Sequence, residues 1–145
     1  MESTPKYQLT RHVAQNKPYL LLVHEVDENV AGMSEQEAGP AAINVLSSGS
    51  FVGVGGHAAD GVASILSVNG EEYLRFEQFM VTNGPDLHVY LTTGGDVQKG
   101  IDLGKLKGSK GDQNYLLNNI DKMNYDTVVI YCQPFHVVFG TAGLT

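Results

Sequence analysis

From Ala41 onward, Gly, Asn and Asp divide the chain into short β-branched and aromatic runs at intervals of about 8 to 12 residues. That cadence leaves no room for a long helix. It prescribes an all-β fold, a compact antiparallel β-sandwich or flattened barrel of about eight short strands with little helix. The clearest signal is Asn69-Gly70, between the run 62–68 and the alternating stretch 72–76. Both residues tolerate the positive φ that a two-residue hairpin turn demands. Residues 43–46 and 50–54, separated by Ser47-Ser48-Gly49, form either a hairpin or one bulged strand. In 87–92, Leu87, Val89 and Leu91 face one way and His88 and Tyr90 the other. Residues 101–106 and 115–117 are further short strands. Between the strands, 93–100 is a glycine-rich connection, 108–114 a polar turn and 118–124 a loop or single helical turn. Leu74, Phe76 and Phe79 are expected core anchors.

The stretch 127–140, TVVIYCQPFHVVFG, carries the only cysteine, Cys132. Its first half is apolar at both parities, as in a strand covered on both faces. A second apolar run, 135–139, follows Gln133-Pro134. Proline cannot donate to a ladder, so Pro134 belongs at an edge, a bulge or a break between two strand halves. Cys132 is thereby placed beside an irregularity, where strands re-aim side chains.

Residues 1–40 read as an acidic, partly irregular lead-in to a β domain spanning 41–145. Residues 18–30 begin with an apolar run that fits either a short strand or a helix turn. Ser34 to Glu37 has capping-box spacing, but Gly39-Pro40 stops it within about one turn. With 145 residues the chain suits one domain that needs no staple. Its single cysteine cannot close an intramolecular disulfide. The formal charge is −7, and between Lys17 and Arg75 eight Asp or Glu stand with no Lys or Arg. Such a field repels nucleic acid and anionic membrane. The longest apolar run, 19–23, cannot span a bilayer, and no signal peptide is visible.

Several motif fragments fail on context. Gly53 to Ala58 matches a relaxed dinucleotide fingerprint, but Ala59-Asp60-Gly61 leads into another strand instead of the helix that would hold a pyrophosphate. Asp112-Gln113-Asn114 lacks the glycine and distant glutamate of a calcium loop. Lys99, Lys105, Lys107 and Lys110 have no interleaved aromatics and read as a solvated or edge-protecting face. No GxSxG elbow or HExxH helix occurs, and Asp60 and Asp86 sit in turns. A turnover enzyme therefore has no named nucleophile or base.

Cysteine with histidine is the sharpest candidate set. A thiolate and imidazoles are ligands for copper or haem iron, and Cys132 with His136, His88 or His57 could supply them. On one continuous strand, residues 132 and 136 would lie about 13 Å apart. Only a turn at Pro134 could bring both to one ion. No methionine follows Met123 to serve as the axial ligand of a blue-copper site. An unliganded buried thiol, with no cofactor, fits the same residues.

Taken together, Gly49-Ser50-Phe51, the stretch 57–62, Tyr73-Leu74-Arg75-Phe76 with Phe79, NGPDLHVYL at 83–91, DLGKLKG at 102–108, GDQNY at 111–115 and VVIYC at 128–132 followed by Phe135 and Phe139 resemble the DM-thirteen domain. The resemblance covers about residues 46–144. It implies a β-rich electron-transfer module of secreted, cell-surface and envelope proteins. The family's marked cysteine, matched by Cys132, is proposed to act as a bare thiol or by holding a prosthetic group such as haem. Two functions follow. In one, an extracytoplasmic domain exchanges electrons with a redox or envelope protein through Cys132. In the other, a non-catalytic interaction module of the cell surface keeps Cys132 as a structural core residue.

Overall fold

The computed structural model describes residues 24–30, 43–121 and 124–145, and among these eight antiparallel strands build the fold. They are β1 (Ile43–Gly53), β2 (Ala59–Val68), β3 (Glu71–Val81), β4 (Leu87–Thr93), β5 (Asp96–Lys105), β6 (Gln113–Leu116), β7 (Thr127–Cys132) and β8 (Val137–Gly143). All belong to one curled sheet in the order β5-β4-β7-β8-β1-β2-β3-β6. The all-β expectation holds. A single sheet bent on itself is closer to the flattened barrel than to two separate layers. No α-helix occurs among the described residues. The capping-box spacing at 34–37 and the first part of 18–30 lie outside them.

Local chemistry explains the joints. Asn69 and Gly70 have φ of 51° and 86°, the positive pair that the β2–β3 hairpin requires. Gly94 and Gly95, at 66° and 87°, make a second such turn. β5 therefore begins at Asp96, inside the stretch expected to be a connection, because its mixed polar composition carries little apolar alternation. β3 runs on to Val81, since a register shift between Asp60 and Val62 absorbs the break in its pattern. Gln113 and Asn114 are strand rather than turn, paired with Phe76 and Arg75.

The stretch 43–53 is one strand with a register shift between Val45 and Ser47, the bulged alternative. β1 spends Ile43 to Ser50 on β2 and Phe51 to Gly53 on β8. Where it changes partner, a Cβ on Gly49 would lie 1.7 Å from the Gly143 carbonyl oxygen. Only glycine lets the two backbones come this close.

The inner face of the curl is apolar. Phe51, Phe76 and Phe79 pack with ring centroids 4.8–4.9 Å apart, and Leu74, Val89, Leu91, Val128 and Ile130 complete the centre, each fully buried. A buried side chain of this size contributes about 1.5–3 kcal/mol. Residues 24–28 run beside 110–112: Val26 N–H donates to the Lys110 carbonyl at 2.9 Å and Glu28 N–H to that of Asp112 at 3.0 Å. Arg75, 5% exposed, fastens this strap by donating to the carbonyls of Glu28 and Asn29, both at 3.0 Å. It also meets Asn114 Oδ1 at 2.8 Å, Glu77 at 2.9 Å and Asp112 at 3.3 Å.

Candidate functional site

Alternation along β7 divides its side chains between two environments. Val128, Ile130 and Cys132 enter the core, and Thr127, Val129 and Tyr131 leave on the outer face. Val129 is nevertheless fully buried, in keeping with a strand covered on both sides. Cys132, the last residue of β7, is 0% exposed and stands across from Leu87 of β4 and Val137 of β8. Its core companions, Leu87, Ile130 and Phe139 among them, are apolar. The pairing of β7 with β8 shifts register between Ile130 and Tyr131, so the cysteine does sit beside an irregularity.

Pro134 lies at the break between two strands, as its chemistry requires. The β7–β8 turn is held by the His136 N–H donating to the Gln133 carbonyl at 3.2 Å, and His136 takes a left-handed φ of 55°. Phe135 does not continue an apolar strand. It is 66% exposed at the turn, because β8 begins only at Val137.

The three histidines weighed with Cys132 are not gathered around it. His136 follows the outer face, its Nδ1 3.2 Å from the Tyr131 hydroxyl. His88 also faces outward: its Nδ1 is 3.0 Å from both carboxylate oxygens of Asp102, and its Nε2 is 3.2 Å from Asp86 Oδ1. His57 stacks on Phe139 in the β1–β2 connection, rings 3.7 Å apart and 10° from parallel. A metal bound through sulfur needs its other ligands within a few ångströms of that sulfur. Among the described residues no group of three His, Cys, Asp or Glu could hold a metal ion. The packed apolar surroundings of Cys132 likewise offer no face for a haem. The residues about this thiol do not fit either group.

What the outer face does assemble is a polar and aromatic cluster. Gln133 Nε2 donates to the Tyr90 hydroxyl at 2.7 Å and to Asp102 Oδ2 at 3.0 Å. The Tyr90 and Tyr131 rings meet edge to face, centroids 5.4 Å apart. Burial, then the Asp102 carboxylate, raises the Tyr90 hydroxyl above its ordinary pKa, partly offset by the Gln133 hydrogen bond. The cluster is built by the pairing of β4 with β7, which sets His88 opposite Tyr131 and Tyr90 opposite Val129. Asp102, Gln133 and the two tyrosines were not singled out in the sequence. The outward parity of His88 and Tyr90 was the one available signal, and it becomes a site only when a distant strand is laid beside it.

Beyond β4, a cleft of about 440 Å³ opens between Asn83 to Leu87 and Lys105 to Ser109, with His24 on its rim. Leu106 N–H donates to the Leu87 carbonyl at 2.8 Å, and Gln133 N–H to the Asp86 carbonyl at 3.1 Å. The NGPDL segment thus ties the cleft to the turn after Cys132. No helix among the described residues is long and apolar enough to cross a membrane.

A family model described as "Electron transfer DM13" matches residues 50–144, which takes in β2 to β8 and the end of β1. No curated protein and no solved structure matches the chain.

Proposed function

Because the chain belongs to the Electron transfer DM13 family, we propose that it is a one-electron transfer domain with Cys132 as a redox group carried as a bare thiol. The observation that carries this reading is the family match, whose span takes in Cys132, the only cysteine, fully buried at the end of β7 one residue before an exposed turn. Thiol–disulfide exchange needs a sulfur to approach sulfur directly, so complete burial favours electrons that cross protein over exchange at the sulfur. The proposed setting is outside the cytoplasm, with a redox protein of the envelope or cell surface as partner. Support for that setting is the resemblance to modules of secreted and cell-surface proteins.

A second reading keeps Cys132 as a structural residue of a non-catalytic interaction module. Its support is the same burial, since a cysteine in apolar surroundings behaves as a small hydrophobe of low reactivity.

One set of measurements separates the two: thiol titration of the folded protein, a visible spectrum with metal analysis, and voltammetry of wild type and Cys132→Ala. The electron-transfer reading expects a faradaic wave that Cys132→Ala abolishes or moves. An identical response from both proteins, with a thiol that reacts only after unfolding, removes Cys132 from the chemistry and favours the structural reading.

A further inference from the structure

We propose that Tyr131 and His136 form a proton-coupled redox pair on the outer face of the sheet, through which a single electron leaves or re-enters the domain. The inference rests on the electron-transfer reading of the family, but not on Cys132 being the redox group. Its ground is a difference between two consecutive residues. Taking an electron from a thiol or a phenol at neutral pH requires that its proton also leave. Cys132 is packed among apolar side chains. Tyr131, facing the other way, has an imidazole nitrogen 3.2 Å from its hydroxyl.

The step balances within the pair and one external acceptor. With His136 neutral and its proton on Nε2, the Tyr131 hydroxyl donates to Nδ1. A one-electron oxidant, in the cell an oxidised one-electron centre of a partner protein, takes an electron from the phenol. The O–H bond breaks, an N–H bond forms at Nδ1, and the products are a neutral phenoxyl radical and an imidazolium. When a donor returns the electron, the proton goes back to oxygen. No atom leaves the protein.

Two further observations favour this assignment. His136 holds its ring against Tyr131 from a left-handed backbone, φ 55°, which is uncommon for a residue other than glycine and clusters at working sites. The Tyr131 ring also lies edge to face against Tyr90, whose hydroxyl is held by Gln133. That ring shields one side of Tyr131 from water. Tyr73 and Tyr115 are tied to Glu71 and Gln113, an exposed carboxylate and a neutral amide, and among the described residues neither has an imidazole partner.

The test is flash photolysis of the full chain with a ruthenium polypyridyl complex and persulfate. It follows the near-ultraviolet band of the tyrosyl radical and its electron paramagnetic resonance signal. Wild type, Tyr131→Phe, Tyr73→Phe and His136→Asn are compared. Asparagine tolerates the left-handed backbone while removing the base, and circular dichroism with thermal unfolding checks each fold. The expected result is a radical lost in Tyr131→Phe, kept in Tyr73→Phe, and formed about 100-fold more slowly in His136→Asn, as for removal of a positioned proton acceptor. An undiminished radical in Tyr131→Phe, or an unchanged rate in His136→Asn, overturns the pair. Since the photogenerated oxidant takes its electron without Cys132, such a failure leaves the Cys132 reading untouched. Conversely, a Cys132→Ala protein that is silent at an electrode but still forms the Tyr131 radical at full rate supports the pair.

Discussion

Tyr131 and Cys132 are neighbours in sequence whose side chains leave β7 on opposite faces, the cysteine 0% exposed in an apolar core and the tyrosine bonded to His136. A change at either residue reports on one face of the sheet with little disturbance of the other.

Replacing Cys132 by serine puts a hydroxyl where the neighbours are apolar. The expected loss of stability is about 1–3 kcal/mol by denaturant titration, with an unchanged m value. Cys132→Ala loses less, about 1 kcal/mol, because it removes one sulfur and buries no new polar group. A serine variant as stable as wild type would mean that the site is wetter than its burial indicates.

Arg75 holds the strap 24–28 to β3 and β6 through five acceptors. Arg75→Ala leaves the Glu28 carbonyl and the Asn114 amide oxygen without their donor, and the Asn29 carbonyl with that of Asn114 Nδ2 alone, at an expected cost of about 2–4 kcal/mol. Hydrogen exchange should then accelerate first at Val26 and Glu28, whose N–H groups bond to Lys110 and Asp112. Global loss without selective release of these amides would contradict the fastening role.

Tyr115 donates to Gln113 Oε1 at 2.6 Å and accepts from the Lys107 N–H at 2.8 Å, and burial pushes its hydroxyl far above the ordinary value. A phenol whose pKa is raised by folding contributes stability that is whole below the unfolded pKa and is lost as pH rises. Above about pH 10 the unfolded chain releases this proton and the folded one keeps it, so stability falls by up to about 1.4 kcal/mol per pH unit. Tyr115→Phe should be less stable at neutral pH, by about 1–3 kcal/mol, yet lose less between pH 10 and 11. Parallel pH profiles for the two proteins would refute this.

Asp126 is held below the usual carboxylate range by the Gly94 N–H and then by the Thr127 hydroxyl, each at 2.8 Å. Its contribution is present above the unfolded pKa and fades as pH falls through the lower folded value. The difference in stability between wild type and Asp126→Asn should therefore shrink on acidification, as read from urea midpoints across the acid range. A difference that stays constant to the acid limit would show that the carboxylate charge plays no part.

How much of this was legible beforehand follows from the range over which each signal acts. Asn69-Gly70 and the alternation of Leu87, Val89 and Leu91 against His88 and Tyr90 depend on neighbouring residues, and both stand in the structure as the sequence implies. The extension of β3 to Val81 was hidden, because the bulge facing Gly61 puts the apolar positions out of phase. The start of β5 was hidden because an edge strand of mixed polarity has no period to read. Most of all, the outer-face cluster needs β4 between β5 and β7. Such long-range pairing is written in no local pattern, so the outward parity of Tyr90 was visible without Gln133 and Tyr131 beside it, whereas His136 meets Tyr131 across the short β7–β8 turn.

β8 lies between β7 and β1 in the sheet, and of the eight described strands it is the last to be made. Until Val137–Gly143 has left the ribosome, the nascent chain can form at best two separate ribbons, β5-β4-β7 and β1-β2-β3-β6, each with an open edge waiting for the same seven residues. Closure is thus deferred until the other seven strands have been made. Pairing across so much sequence is slow and leaves edges prone to misassociation in the meantime, so a chain stopped before Val137 should yield aggregates, not a slightly smaller protein.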